Sequence, residues 1–429
     1  MTTATPSQPA TSAQPAAPHR AFAALHAPGY AVYLVGSALA MLADSIEHVI
    51  SYWMVFHKFH SPALGGYAVI SHWLPFLLFS FASGALADRF DPRRIIQLGM
   101  VLFMLCSLAW GVLFTTDTLE VWHAVVIFTA HGIAGVLWGP PSQLLVHDIV
   151  GHAHLHSAVR LMSMSRVVGL LGGPAVGGAL LLAAGPSLGI LIGMMVYLPL
   201  TLWLVNAPFG RVHRNELPPA PRHGGGWAGV FATLREIAGN RVVVSMTLLA
   251  GATSFLVGNA YQAQMPEFAA DLGHADADVH YSMLLAANAA GALTAGVLLE
   301  LRGILQANPR LAFVLVIAWC LCMGGFALST VYILSLVLLF AAGFLNLAFG
   351  AMAQTLVQLN APGAIRGRVI GLYGTSFNGM RAFSGITVGM AGSLIGVHAS
   401  LAISAIVLMA ITAVLFARDL RAQRAAPTE

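Results

Sequence analysis

Charge is the scarcest commodity in this 429-residue chain: Asp, Glu, Lys and Arg make up 8% of it, against about a quarter in an average soluble domain. Lys58 is the only lysine. Cysteine is rarer still, and Cys106, Cys320 and Cys322 all lie in apolar runs. That excludes a disulfide framework and a Cys-x-x-Cys zinc pattern. Phosphate-loop, dinucleotide and paired-carboxylate hydrolase patterns are also missing, so no cofactor, no enzyme activity and no ATP-driven work by this chain alone are expected. Gly185-Pro186-Ser187-Leu188-Gly189 spells a nucleophile elbow, but it joins two apolar runs rather than a strand to a helix, and it is rejected.

Apolar residues fill the space that charge leaves, at 58% of the chain with a mean hydropathy of +0.80. A water-soluble fold of this length cannot hide so much apolar surface, and a membrane is the solvent implied. Residues 1–20, "MTTATPSQPATSAQPAAPHR", contain no apolar core of a signal peptide and read as a disordered cytoplasmic tail.

The stretches free of Asp, Glu, Lys and Arg are 59–87, 95–116, 121–147, 167–210, 242–266, 279–299, 311–365 and 382–417. A crossing helix needs about 20 apolar residues. Three stretches are long enough for two crossings, with turns expected at Gly185-Pro186-Ser187, Ser329-Thr330 and Gly396-Val397-His398. A further span over about Tyr30 to Phe56 brings the expected total to twelve transmembrane helices in an all-α membrane fold.

Basic residues test that count, because they gather on the cytoplasmic side. With both termini inside, 17 of the 20 fall in cytoplasmic segments, while the outer segment Glu267 to Asp278 carries four acids and no base. The formal net charge of +4 is therefore topological, and no nucleic acid partner is expected. A lipid bilayer, a small-molecule substrate and protons are the expected partners of a monomer.

The longest polar interruption divides the chain into a six-helix bundle over 21–206, a cytoplasmic linker over 207–240, a second bundle over 241–417 and a tail over 418–429. An offset of 212 residues aligns Gly84 with Gly296, Asp88 with Glu300, Gly173 with Gly385 and Gly177 with Gly389. Such an offset fits two bundles related by an axis along the membrane normal, with a central cavity between them. In the linker, "WAGVFATLREI" has the pattern of an amphipathic helix on the inner surface.

"GALADRFDPRR", Gly84 to Arg94, resembles the signature loop of the major facilitator superfamily, with Asp91 in place of its second glycine. That departure, with "GPPSQLLVHDIV", "MPEFAADLG" and "RGRVIGLYG", resembles the branch of enterobactin exporters and macrolide efflux pumps. The resemblance implies a bacterial inner-membrane secondary transporter, exporting a drug-like compound or siderophore by proton antiport. Facilitated or proton-coupled uptake is the alternative within transport, and a lipid scramblase or membrane-embedded enzyme the alternative outside it. It also implies a cytoplasmic gate of Gly84, Asp88, Arg89, Arg93 and Arg94 against Arg366 and Arg368. A carboxylate at Asp88 suits both an arginine and the positive end of a helix dipole. In "GLLGGPAVGG", Gly169, Gly173, Pro174, Gly177 and Gly178 resemble a motif of drug/proton antiporters. Glycines four apart serve close helix packing equally well.

Asp44, Glu47, His48 and Ser51 occupy one helix face at i, i+3, i+4 and i+7. Facing lipid, each charge would cost at least about 2.5 kcal/mol, so the face is expected to line the cavity. Proton coupling, substrate contact and a permanent ion pair are all open roles for Asp44 and Glu47. Arg381, with Asn378 one turn before it, is the expected countercharge. Arg166, Tyr261, Gln262 and Gln264 are candidate substrate contacts, with Trp138, Asn288, Asn346 and Phe377 behind them. His72 and His131 read as packing histidines. His152, His154 and His156 read as a polar loop, and no metal is expected.

Overall fold

The computed structural model describes residues 21–59, 62–210, 227–272, 278–302 and 307–424. The tail 1–20, the middle of the expected linker at 211–226, Asp276 in the acidic segment, the last residues 425–429 and the side chain of Pro174 lie outside that description.

Among the described residues there is no strand, and ten helices are long and apolar enough to cross a membrane. The first three are α1 (Tyr30–Phe59), α2 (Pro62–Arg89) and α3 (Pro92–Thr116). Asp91 begins α3 by accepting the Arg93 backbone N–H at 3.0 Å, with Pro92 at the first helical position. The departure from the superfamily's glycine thus has a local job as a helix cap.

Helix α4 (Val121–Met195) is interrupted twice and does not run in one direction. Gly151 and Gly185 sit inside it at φ 64° and 73°, in the left-handed region that favours glycine. The run Val121–Gly169 alone has 49 residues, more than twice the about 20 that one crossing needs. The turn expected at Gly185 is therefore present. The expected loop around His152, His154 and His156 is not: one glycine makes the bend and helix resumes at once. Helix α5 (Leu198–Asn206) closes the N-terminal half.

Helix α6 (Trp227–Ile237) has the expected amphipathic form, with Ile237 buried and Phe231 exposed. Then follow α7 (Arg241–Leu256), the short α8 (Ala260–Ala263) and α9 (Met265–Asp271), α10 (Asp278–Arg302), α11 (Pro309–Leu328) and α12 (Tyr332–Asn360). Asn308 and Pro309 start α11 as Asp91 and Pro92 start α3, the Asn308 side chain accepting the Arg310 N–H at 2.9 Å. The break expected at Ser329-Thr330 separates α11 from α12.

The stretch from 366 to 395 is helical but repeatedly re-pitched. It comprises α13 (Arg366–Gly374), a π turn at Thr375–Gly379, α14 (Arg381–Ser384), a second π turn at Gly385–Met390, and α15 (Ala391–Ile395). Gly396, at φ 87°, then turns the chain into α16 (Val397–Arg424). Each π turn adds a residue to a helical turn and frees a carbonyl. Ser254 takes up one by donating to the Phe377 carbonyl at 2.6 Å.

Large apolar side chains are fully exposed around the outside, Leu182 at 89% and Leu394 at 85%. Patches of that kind belong against lipid, where helices alone satisfy the backbone. Inside, the buried side chains of 237–408 form one large cluster, those of 24–204 form two others, one of which includes Ala351, and Ala87, Ile95, Leu144 and Ile370 form a small fourth.

Candidate functional site

The acid-bearing face of α1 points into the N-terminal half, and a histidine completes it. His131 Nδ1 lies 2.9 Å from Glu47 Oε1, and its Nε2 lies 2.9 Å from Asp44 Oδ1. Ser107, on α3, donates to Glu47 Oε2 at 2.5 Å. Glu47 is 3% exposed and the His131 side chain 4%, while the Asp44 side chain keeps 13% of its surface open. Phe103 meets the His131 ring edge-on at 4.7 Å and is itself stacked on Tyr197 at 5.2 Å. These rings fix the plane in which the imidazole reaches both carboxylates.

Two hydrogen bonds need two protons, one between each nitrogen–oxygen pair. An imidazole ring stripped of both would carry −1 and the two carboxylates −2. The Asp44–His131–Glu47 triad therefore carries a net −1, wherever along each bond the protons sit. Breaking either bond and releasing its proton leaves −2. The triad is thus a one-proton device by construction.

Two further histidines stand beside it. His48 Nδ1 donates to the Asp44 backbone carbonyl at 2.8 Å and lies 3.5 Å from Asp44 Oδ2. His72, on α2, packs its ring 5.0 Å from that of His48, and its buried Nδ1 has no hydrogen-bond partner among the described residues. One ring nitrogen from each of His48, His72 and His131 lies within 4.8 Å of the other two. His131 already uses both nitrogens on carboxylates, so a cation would have to displace one of them. Single spans gave no sign of this convergence: His72 and His131 are neighbours of α1 only in three dimensions. The available signal was that a polar side chain in a span must find a partner.

Arg381, the expected countercharge, goes elsewhere. Its guanidinium lies over Phe377 at 4.6 Å and Trp73 at 5.2 Å, and its Nε has no hydrogen-bond partner among the described residues. No ion pair joins it to Asp44 or Glu47 among the described residues. The π turns on either side of α14 set its direction, and Asn378 is buried in the first of them. Tyr373 stacks on Phe377 at 5.8 Å, and its hydroxyl is buried without a partner. Arg166, on α4, is exposed. Nearby, Met164 lies where a side chain on Gly296 would go. This turn of α4 therefore lies at the seam between the halves.

Tyr261 is buried and donates to Asn288 Oδ1 at 3.4 Å, while Asn288 donates to the Leu339 carbonyl at 3.3 Å. Gln264 donates to the Val388 carbonyl at 3.2 Å. Both brace the C-terminal half from within. Gln262 is half-buried and donates to the Tyr261 hydroxyl at 3.5 Å.

Asp88 closes one end of the bundle. Its two oxygens accept the backbone N–H groups of Gly367 and Arg368 at 2.7 and 2.8 Å, capping α13 across the seam. Side chains added at Gly84, Gly367 or Gly371 would run into backbone of the facing helix. Arg366 reaches His147 of α4 at 3.3 Å, Arg368 is buried, and Arg89 is exposed. Arg93 and Arg94 do not cross the seam in their hydrogen bonds. Arg93 pairs with Asp91 at 2.6 Å and donates to the Ala207 carbonyl, and Arg94 donates to Gln97 at 2.8 Å. Glu300, which the 212-residue offset matches to Asp88, makes a second cross-seam contact: it accepts from Ser157 and lies 3.7 Å from Arg160.

The glycine stripe of α4 lies against α1. Side chains built on Gly169, Gly173 and Gly177 would meet Met41, Ser45 and Val49 in turn, one contact per helical turn, whereas Gly178 faces open space.

Two carboxylates that reach across the seam between the halves, Asp88 and Glu300, fit a transporter of the major facilitator superfamily. Residues 19–429 match the family described as transmembrane secretion effector, and the chain belongs to it. An enterobactin exporter of Shigella boydii is 26% identical over 302 residues, covering 68% of this chain and 67% of the exporter. The enterobactin exporter of Salmonella typhimurium is 24% identical over 301 residues, 68% of each. Among solved structures, a fucose transporter of the superfamily in its outward conformation has a TM-score of 0.71 at 12% identity, covering 91% of this chain and 98% of that one. A bacterial homologue of ferroportin has a TM-score of 0.67 at 18% identity, with the same coverage. The chain is therefore a multi-pass membrane protein of a transporter family.

Proposed function

We propose that this protein exports a small organic molecule, a drug-like compound or a siderophore, from the bacterial cytoplasm in exchange for protons. It does so as a twelve-crossing carrier of the inner membrane with both termini in the cytoplasm. Counting Val121–Gly169 and Val176–Asn206 together as three rods, and the interrupted helix over 366–395 as one more, brings the ten crossing-length helices to twelve. The basic residues put the Asp88 end inside. Resemblance to exporters over two thirds of the chain supports the direction.

The observation that carries the coupling is the His131 bridge between Asp44 and Glu47. While Asp88 and Glu300 hold the inner end shut, the triad fills with its second proton from outside. When α1 moves relative to the first rod of α4 and one bond parts, the proton leaves to the cytoplasm and the outward move of substrate is coupled to it. An Asp44→Asn variant in proteoliposomes should lose pH-gradient-driven transport yet retain binding. Full gradient-driven transport by that variant would remove the triad from the mechanism.

A further inference from the structure

We propose that His48, His72, His131 and Asp44 form a binding site for one zinc-class divalent transition ion, whatever the chain transports. The four residues come from α1, α2 and the first rod of α4, all in the N-terminal half. One ring nitrogen from each imidazole lies within 4.8 Å of the other two. His131 Nε2 is 2.9 Å from Asp44 Oδ1, so a carboxylate donor already stands beside the third ring. Donors bonded to zinc at 2.0–2.1 Å in a tetrahedron are about 3.4 Å apart. The rings therefore need to draw in by up to about 1.4 Å to share one ion.

Two of the rings are held the way metal-bound histidines are held, through a hydrogen bond at a second nitrogen. Glu47 Oε1 lies 2.9 Å from His131 Nδ1, and Ser107 fixes Glu47 in turn. The Asp44 backbone carbonyl lies 2.8 Å from His48 Nδ1. A carbonyl only accepts, so Nδ1 carries the hydrogen and a neutral His48 keeps its lone pair on Nε2. Partners of this kind set the tautomer and ring plane of a ligating histidine and raise its basicity. His72 is different: its buried Nδ1 has no hydrogen-bond partner among the described residues, and its ring packs on those of His48, Trp73, Phe76 and His131. A buried polar nitrogen needs a partner, and coordination gives that ring one.

The cluster also has an entrance. Side-chain exposure is 20% at His48 and 13% at Asp44, against 4% at His131 and 3% at Glu47, so an ion arrives on the His48 side. On binding, the hydrogen between His131 Nε2 and Asp44 Oδ1 leaves to water as a proton, and the ion takes its place. The triad then carries −2, which the ion answers with +2. Three imidazoles and one carboxylate suit Zn²⁺ or Co²⁺, whereas Mg²⁺ and Ca²⁺ take oxygen donors.

The test uses the full chain, without a histidine tag and treated with chelator, in nanodiscs of zwitterionic lipid. Co²⁺ is the probe, because a four-coordinate site absorbs visible light strongly and a six-coordinate one only faintly. One Co²⁺ per chain should bind saturably with the strong spectrum, and Zn²⁺ should displace it. His72→Leu should weaken binding at least about a hundredfold, whereas Glu47→Gln, which alters an outer partner, should weaken it about 10–100-fold. His152→Ala with His154→Ala should leave it unchanged. A faint spectrum, no saturable binding, or displacement by Mg²⁺ at similar concentration overturns the proposal without reliance on any variant's folding. Strong Co²⁺ binding that survives His72→Leu also overturns it. So does binding that vanishes with the His152 and His154 pair, which would put the ion at the bend after Gly151.

Discussion

The Gly367 backbone N–H donates to Asp88 Oδ1 at 2.7 Å, joining the last turn of α2 to the first turn of α13 across the seam. The second Asp88 oxygen takes the next amide, of Arg368. Charged hydrogen bonds of this kind contribute about 1.5–3 kcal/mol each. Asp88→Ala should therefore shift the carrier toward opening at that end, with hydrogen exchange in 363–374 rising at least tenfold. Gly84→Ala should do the same by another route, since its methyl would meet the Gly367 carbonyl. Unchanged exchange in both variants would show that this contact does not hold the end shut.

Among the described residues, the imidazole of His131 is hydrogen-bonded to both Asp44 and Glu47. His131→Ala leaves two buried carboxylates facing one another, a loss of about 3–5 kcal/mol by the measure of broken buried pairs. Its thermal midpoint should fall, and gradient-driven transport should drop below a tenth of normal. Adding Glu47→Gln to that variant should restore stability but not coupling. Recovery of coupling in the double variant would move the proton to some other group.

Legibility from the sequence followed the range of the contact. The crossings could be read because 20 apolar residues and an excluded charge are local signals. The breaks at Gly185, Ser329 and Gly396 were readable for the same reason. The latch was readable in part: Asp88 was marked with the positive end of a helix as one expected partner, and its oxygens accept the backbone amides of Gly367 and Arg368 at the start of α13. Arg93 looked like part of the gate and instead serves Asp91, two residues away. The site itself was least readable. Pairing Asp44 with Arg381 followed from charge alone, and charge does not report that α4 delivers an imidazole within 2.9 Å of both acids. The two π turns that aim Arg381 toward Trp73 also leave no mark in helical periodicity.

The glycine stripe of α4 makes two opposite forecasts. A methyl at Gly173 would overlap the Ser45 side chain, so Gly173→Ala should push α4 away from α1 at a cost of about 1–3 kcal/mol. Gly178 meets nothing within 4 Å, so Gly178→Ala should be neutral or gain up to about 1 kcal/mol of helix propensity. Thermal unfolding in detergent separates the two. Transport by the Gly173 variant should fall as well, because Ser45 adjoins Asp44 on α1. Equal midpoints for the two variants would mean that the stripe is not a packing surface.

Glu300 and Asp88 hold the same end of the bundle by different chemistry, and their variants should differ accordingly. Asp88 satisfies backbone amides, whereas Glu300, 1% exposed, faces the guanidinium of Arg160 and the hydroxyl of Ser157. Arg160 also donates to the Leu299 carbonyl, so it stays in place when the acid is lost. Glu300→Ala then leaves a buried cation without its acid, which costs about 3–5 kcal/mol. Glu300→Gln keeps an acceptor for Ser157 but not the charge. Arg160→Met removes the cation as well, so Glu300→Gln with Arg160→Met should be more stable than Glu300→Gln alone. Thermal midpoints of the four proteins give the coupling between the two residues directly. A coupling near zero would reduce Glu300 to a hydrogen-bond acceptor and leave Asp88 as the single charged contact of the latch.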